Sequence, residues 1–143
     1  MSPRWEPNPE IRTGRHCIHE LTVHLVFVTK YRRNVFTGEM LTRCQQIMKE
    51  VCEKFACELA EFNGEDDHVH LLVHYPPKVA LSVLVNSLKG VSARYLRQEY
   101  AAHVRKYLWG GHFWSRSYYA GSTGGANLTT VRTYIQSQDR PQK

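Results

Sequence analysis

The chain contains no apolar run near the roughly 18 residues that a membrane span requires, and its opening Met-Ser-Pro-Arg-Trp-Glu-Pro-Asn-Pro lacks the apolar core of a secretory signal. A cytoplasmic location, with no membrane partner, is the expectation. It also lacks any CxxC pair. Cys17, Cys44, Cys52 and Cys57 are scattered through helix-like and strand-like sequence, so a disulfide-stapled miniature fold is excluded and buried reduced thiols are expected. A zinc site built on Cys52 and Cys57 would need a ligand spacing that the chain does not have. No internal repeat or low-complexity tract is present. Acidic residues are the scarcer charge: 13 Asp and Glu face 19 Lys and Arg, a net charge of +6. That balance favours a polyanionic partner without identifying one.

What is present fits one compact domain, since 143 residues with 42% hydrophobic content can build a core. Residues 1–16 carry Pro3, Pro7, Pro9 and Gly14 and are expected to form an extended N-terminal arm with no regular element; residues 17–143 form the domain. From Cys17 to Thr29, Ile18, Leu21, Val23, Leu25 and Phe27 predict a long strand that ends in the basic cluster Lys30-Tyr31-Arg32-Arg33. Apolar residues at helical spacing predict helices over 38–55, with Thr37 as N-cap, and over 79–100. Strands are expected over 58–63, from Asp67 to the stop at Pro76-Pro77, and over 113–120. A flexible break is expected at Gly121-Ser-Thr-Gly-Gly125, before a last helix over 127–138. This order predicts an α+β, ferredoxin-like (RRM-like) antiparallel sheet with helices on one face and one C-terminal helix added.

The chemistry concentrates in Asp67-His-Val-His-Leu-Leu-Val-His74 and in Val131-Arg-Thr-Tyr-Ile-Gln-Ser-Gln138. Residues two apart on a strand share a face, so His68 and His70 converge on one point. Residues four apart on a helix are neighbours, so Tyr134 and Gln138 offer a hydroxyl and a carboxamide to that point. Two imidazoles and an amide oxygen would leave open positions on a divalent cation, as catalysis requires. Mg²⁺ prefers oxygen shells and imidazole suits later ions, so Mn²⁺ should bind at least as well. Tyrosine, with an ordinary pKa near 10, needs help to lose its proton. A tyrosyl phosphate would keep the energy of the broken phosphodiester, allowing a free 3′-hydroxyl to rejoin strands later.

Plainer readings compete. His-x-His is common on strands, and His74 at the strand end reads as a solvated or hydrogen-bonded histidine. Leu72 stands where a triple His-x-His-x-His hydrolase pattern would need another histidine. Leu128, Val131 and Ile135 form the apolar stripe of the last helix, with Tyr134 and Gln138 along its edge, where packing or catalysis is open to them. Lys30, Arg32, Arg33, Lys89, Arg94 and Arg97 would form a nucleic-acid groove only if they cluster. Trp109, Trp114, Tyr118 and Tyr119 could stack on bases, although strand aromatics usually pack in a core.

These segments resemble, in order, the single-tyrosine HUH transposases of bacterial and archaeal insertion sequences, the TnpA type. The likeness runs through His24–Arg33, Asp67–Leu72, Leu88–Arg94, Leu108–Gly111, Phe113–Tyr119 and Tyr134–Gln138. It implies that His68 and His70 ligate Mg²⁺ or Mn²⁺, that Gln138 is the third ligand, and that Tyr134 forms a 5′-phosphotyrosine. It implies single-stranded DNA with hairpin ends as substrate. It also implies a homodimer in which Tyr134 of one subunit serves the histidines of the other. The Pro-rich arm is longer than that family's usual start, and Glu65-Asp66 stands where a proline often precedes the histidine motif. A domesticated hairpin- or repeat-processing nuclease, or a non-catalytic single-stranded nucleic-acid-binding module, is the alternative.

Overall fold

A computed structural model describes residues 12–13, 18–19, 21–123 and 126–141. Its elements are β1 (Arg12–Thr13), β2 (Ile18–His19), β3 (Thr22–Thr29), a 3₁₀ turn (Lys30–Arg32), α1 (Gly38–Lys54), β4 (Glu58–Gly64), β5 (His68–His74), α2 (Leu81–Glu99), α3 (Ala101–Tyr107), β6 (Trp114–Thr123) and α4 (Ala126–Gln136). The main sheet has the order β4-β5-β3-β6 and every pairing in it is antiparallel. That is the ferredoxin-like order, with the two central strands each opening one of the two βαβ units.

The alternation that predicts β3 also decides which face is core. Val23, Leu25 and Phe27 from β3 and Val69, Leu71 and Val73 from β5 are buried in one cluster with residues of α1 and α2, among them Leu41, Met48, Leu84 and Leu88. Thr37 caps α1 as its sequence predicts, its hydroxyl accepting from Met40 N–H at 3.1 Å. The opposite face is partly covered by α4. Leu128 and Ile135 bury themselves against Leu72, with Ala60 and Val131 at the margin. Full burial of each such side chain contributes on the order of 1.5–3 kcal/mol, so this small cluster is what docks the helix that bears Tyr134.

Several expectations need correction. Most of the arm over 1–16 lies outside the described residues, but Arg12–Thr13 pairs with Ile18–His19 as a separate two-stranded ladder, so the arm is not without regular structure. The long strand over 17–29 is therefore two pieces. Ile18 has the opposite parity to Val23, Leu25 and Phe27 and could not share their core face in one unbroken strand. The break expected at 121–125 begins later than its glycine content suggests. β6 runs through Thr123, with His24, Val23 and Thr22 opposite Gly121, Ser122 and Thr123; Gly124 and Gly125 lie outside the described residues. A Cβ at 121 would meet only the outer end of the exposed Tyr119 side chain, which can turn aside. α3 was not anticipated. The backbone leaves helical geometry at Tyr100, and a second short helix follows with Val104 buried. The last helix ends at Gln136, leaving Gln138 just beyond it.

Candidate active site

β5 enters the sheet at His68, opposite Val28 of β3, and His70 lies opposite Val26. Both imidazoles therefore leave the sheet on the α4 side, as their spacing predicts. α4 crosses that side and sets the Tyr134 ring edge-on to His70, with 5.2 Å between ring centroids. Tyr134 remains 51% exposed, so its ring rests on His70 while much of the side chain is open to solvent. Gln138 Oε1 lies 3.1 Å from His68 Nε2. All four expected side chains thus meet within a single chain, with α4 docked against its own sheet.

Each histidine has a partner on its other nitrogen. His68 Nδ1 lies 2.7 Å from Asp67 Oδ1, and Arg32 Nε donates to the second Asp67 oxygen at 3.2 Å. Burial pulls the Asp67 carboxyl upward, but the hydrogen bonds from His68 and Arg32 outweigh it and hold the group below its ordinary range. His70 Nδ1 lies 3.0 Å from His24 Nε2, and their rings stack at 5.2 Å. Sequence reading missed both supporting residues. Asp67 adjoins the motif and was visible as a candidate, whereas His24 sits on another strand and only the β3–β5 register brings it to His70.

Two features make this a credible cation site. His70 Nε2 is buried with no hydrogen-bond partner among the described residues, an arrangement that is costly unless a ligand completes it. Both nitrogens of His68 face acceptor oxygens, and a neutral imidazole can donate only one proton. A cation shared by His68 Nε2, His70 Nε2 and Gln138 Oε1 would resolve both problems. No cluster of three or more His, Cys, Asp or Glu suited to a metal exists among the described residues; beside the two imidazoles the side chain that the geometry offers is the Gln138 amide.

Hydrogen bonds fix where Gln138 lies. Asn63 Nδ2 donates to Gln136 O at 3.4 Å and to Gln138 O at 3.2 Å. Arg140 donates to Asn63 Oδ1 and, at 3.1 Å, to Gln45 Oε1. Arg132 and Gln136 both reach Glu61, at 2.8 and 3.2 Å. β4 therefore holds the C-terminal end of α4 while the apolar cluster holds its body.

Burial pushes the His70 imidazole down to about 4, with His68 and His24 adding to the effect and Gln138 opposing it. The folded chain therefore binds fewer protons there than the unfolded chain, whose histidines titrate near 6.5. The stability this contributes is complete above pH 6.5 and is lost as the pH falls toward 4, a loss on the order of 3 kcal/mol. Urea midpoints measured in EDTA should drop between pH 7.5 and 4.5, and His70→Leu should flatten that drop.

The candidate basic residues fall into separate groups. Lys30 and Arg33 line a cleft with Tyr31 and Trp109. Arg32 is committed to Asp67. Lys89 Nζ donates to Ser115 O at 2.7 Å and Arg116 O at 3.3 Å, where β6 bulges between its pairings at Phe27 and Thr29. Arg97 donates to Gly110 O at 2.8 Å, and Arg94 stacks over Tyr95 at 5.0 Å. Lys30 and Arg33 thus share one cleft and Lys89 lines another. Of the aromatics, Trp114 is core and donates to Ser92 Oγ at 3.0 Å, while Trp109, Tyr118 and Tyr119 are exposed. His74 is buried and lies 2.9 Å from Thr22 Oγ1; Leu72 serves the α4 cluster.

Residues 17–138 match the IS200-like transposase family. The chain belongs to that family. This IS200-like transposase is 32% identical over 129 residues to the ISDra2 transposase TnpA of Deinococcus radiodurans, covering 90% of this chain and 91% of the other. It is 35% identical over 115 residues to the IS200 transposase of Salmonella typhimurium, covering 80% and 74%. A crystal structure of a candidate transposase from D. radiodurans R1 superposes with a TM-score of 0.72 at 28% identity, covering 90% of this chain and 98% of that one. A REP-associated tyrosine transposase bound to a REP hairpin shares the fold at a TM-score of 0.58 and 12% identity, covering 87% and 69%. Transposases of this kind cleave DNA and transfer strands. No helix among the described residues is long and apolar enough to cross a membrane.

Proposed function

We propose that this transposase cleaves and rejoins single-stranded DNA at hairpin-forming insertion-sequence ends through a 5′-phosphotyrosine on Tyr134, with Mg²⁺ or Mn²⁺ held by His68, His70 and Gln138. The observation that carries this reading is the packing of the Tyr134 ring on His70, whose Nε2 has no partner among the described residues, beside the His68–Gln138 pair. The bound cation would polarise a phosphodiester oxygen and offset the charge that develops during transfer.

The chain's own residues supply the remainder. Tyr134 Oη gives up its phenolic proton and attacks phosphorus, forming the Tyr–O–P bond, and the P–O3′ bond breaks. The departing 3′-oxygen takes up a proton to become a hydroxyl. When a different 3′-hydroxyl attacks the phosphotyrosine, it loses its proton, the strand is sealed and the Tyr134 hydroxyl is restored. One phosphodiester is exchanged for another, so no nucleotide cofactor is required. Within the same proposal the protein is a homodimer. Exchange of α4 between copies would present Tyr134 and Gln138 to the partner's histidines, the arrangement that a two-fold assembly permits. A cytoplasmic location accompanies this reading.

The deciding experiment mixes the protein with labelled single strands from the ends of the element around its gene, in Mn²⁺ or in EDTA. An SDS-resistant protein–DNA adduct in Mn²⁺ alone supports the reading. Tight hairpin binding without an adduct would move the chain to the non-catalytic binding class.

A further inference from the structure

The sheet end that begins β5 at His68 carries a second feature, outside the site just described. The Lys30–Arg33 segment after β3 and the 108–113 segment before β6 are tied together by Lys30 N–H donating to Phe113 O at 2.9 Å. Between them lies a cleft of about 270 Å³ lined by Lys30, Tyr31, Arg33, Trp109 and His112 among others, with no Asp or Glu in its wall. Of its aromatics, Tyr107 packs against the core, while Tyr31 and Trp109 are left in water, 77% and 72% exposed. Each has a cation over its ring: the Arg33 guanidinium 4.9 Å from the Trp109 centroid and Lys30 Nζ 5.2 Å from that of Tyr31.

The backbone that builds this cleft is unusual. Tyr31 and Arg32 are consecutive residues with φ of 58° and 53°, a region that side chains other than glycine rarely enter and that persists where surrounding structure demands it. The turn sends Arg32 to Asp67, the partner of His68, and places Tyr31 and Arg33 in the cleft wall. One turn therefore links the cleft to a proposed metal ligand.

We propose that this cleft binds an unpaired nucleobase of the strand undergoing cleavage, stacked on the Trp109 indole, with Arg33 engaging the adjoining phosphate. The inference rests on the single-stranded substrate proposed above. An aromatic face can stack on any base because every base has a π-face. A wall with cations and no carboxylate suits the phosphates that accompany the base. Stacking here would position the strand one turn from His68 without reading its sequence.

The test uses the full chain in EDTA and a fluorescein-labelled oligothymidylate of roughly a dozen nucleotides, within the span such sites cover. Binding should quench tryptophan emission, and Trp109→Phe should abolish that quench while binding persists. Trp109→Ala should weaken binding about tenfold, the ordinary consequence of losing one stacked base, and Trp109→Phe should restore most of it. A strand of equal length made of abasic sites should bind wild-type and Trp109→Ala protein alike. Unchanged oligothymidylate affinity in Trp109→Ala, an equal loss for the abasic strand, or no binding by the wild type would each overturn the proposal. Adduct formation on the element ends in Mn²⁺ reports separately: a wild type that binds and quenches with oligothymidylate but forms no adduct on those ends refutes the phosphotyrosine reading and leaves the cleft standing.

Discussion

Tyr134→Phe protein is expected to bind single-stranded DNA ends within about twofold of wild type, as an exposed substitution should, and to yield no SDS-resistant adduct at any Mn²⁺ concentration. The substitution removes one oxygen from a side chain that is 51% exposed and keeps the ring that packs edge-on to His70. The α4 cluster of Leu72, Leu128 and Ile135 is untouched, so folding and docking should survive. His68→Ala should also lose the adduct, but for a different reason, because it deletes a metal donor and leaves the nucleophile in place. Mixing the two inactive proteins tests the assembly. If copies exchange α4, a mixed dimer contains one site with an intact tyrosine and intact histidines, and about a quarter of the wild-type sites should return on random pairing. The proposed homodimer predicts this recovery. None would confine the site to a single chain, as in the cis docking of α4 found here.

How much of this was legible in the sequence depends on the range of the interaction. The period-two pattern of β3 and β5 identified both the core face and the shared face of His68 and His70, because strand alternation is a local rule. The stripe of Leu128, Val131 and Ile135 likewise placed Tyr134 along its edge, and the structure leaves it exposed there. His24 was not recoverable in this way, since its role depends on the register Val26↔His70 and Leu72↔His24 between strands more than 40 positions apart. Gly121 reads as part of a flexible break because glycine composition alone does not reveal the pairing with His24 that carries β6 through it. The basic residues were the least legible. A charge in sequence says nothing of whether a backbone carbonyl will claim it, and Lys89 and Arg97 are claimed in this way. The thiols met the simpler expectation: Cys44, Cys52 and Cys57 are free and buried, and burial pushes the Cys57 thiol up to about 11. Cys17 lies outside the described residues.

The second large effect is expected from the two residues that hold the histidines. His70 can offer Nε2 to a cation only when its proton sits on Nδ1, where the partner is His24 Nε2 at 3.0 Å; His24 must then carry its own proton on Nδ1. Asp67 fixes His68 in the equivalent way at 2.7 Å. Loss of such an outer partner typically costs 10–100-fold in metal affinity or activity, and His24→Ala and Asp67→Ala should each weaken Mn²⁺ binding by about that factor. Saturating Mn²⁺ should then restore most adduct formation, because neither residue touches the phosphorus, whereas no concentration rescues Tyr134→Phe. His24→Gln supplies an amide oxygen able to accept from His70 Nδ1–H and should recover part of the affinity. Asp67→Asn keeps an acceptor but loses the charge, and should fall between Asp67→Ala and wild type. Calorimetric Mn²⁺ titration of the five proteins separates these cases. Wild-type affinity in both alanine variants would mean that the His24–His70 and Asp67–His68 contacts serve packing alone.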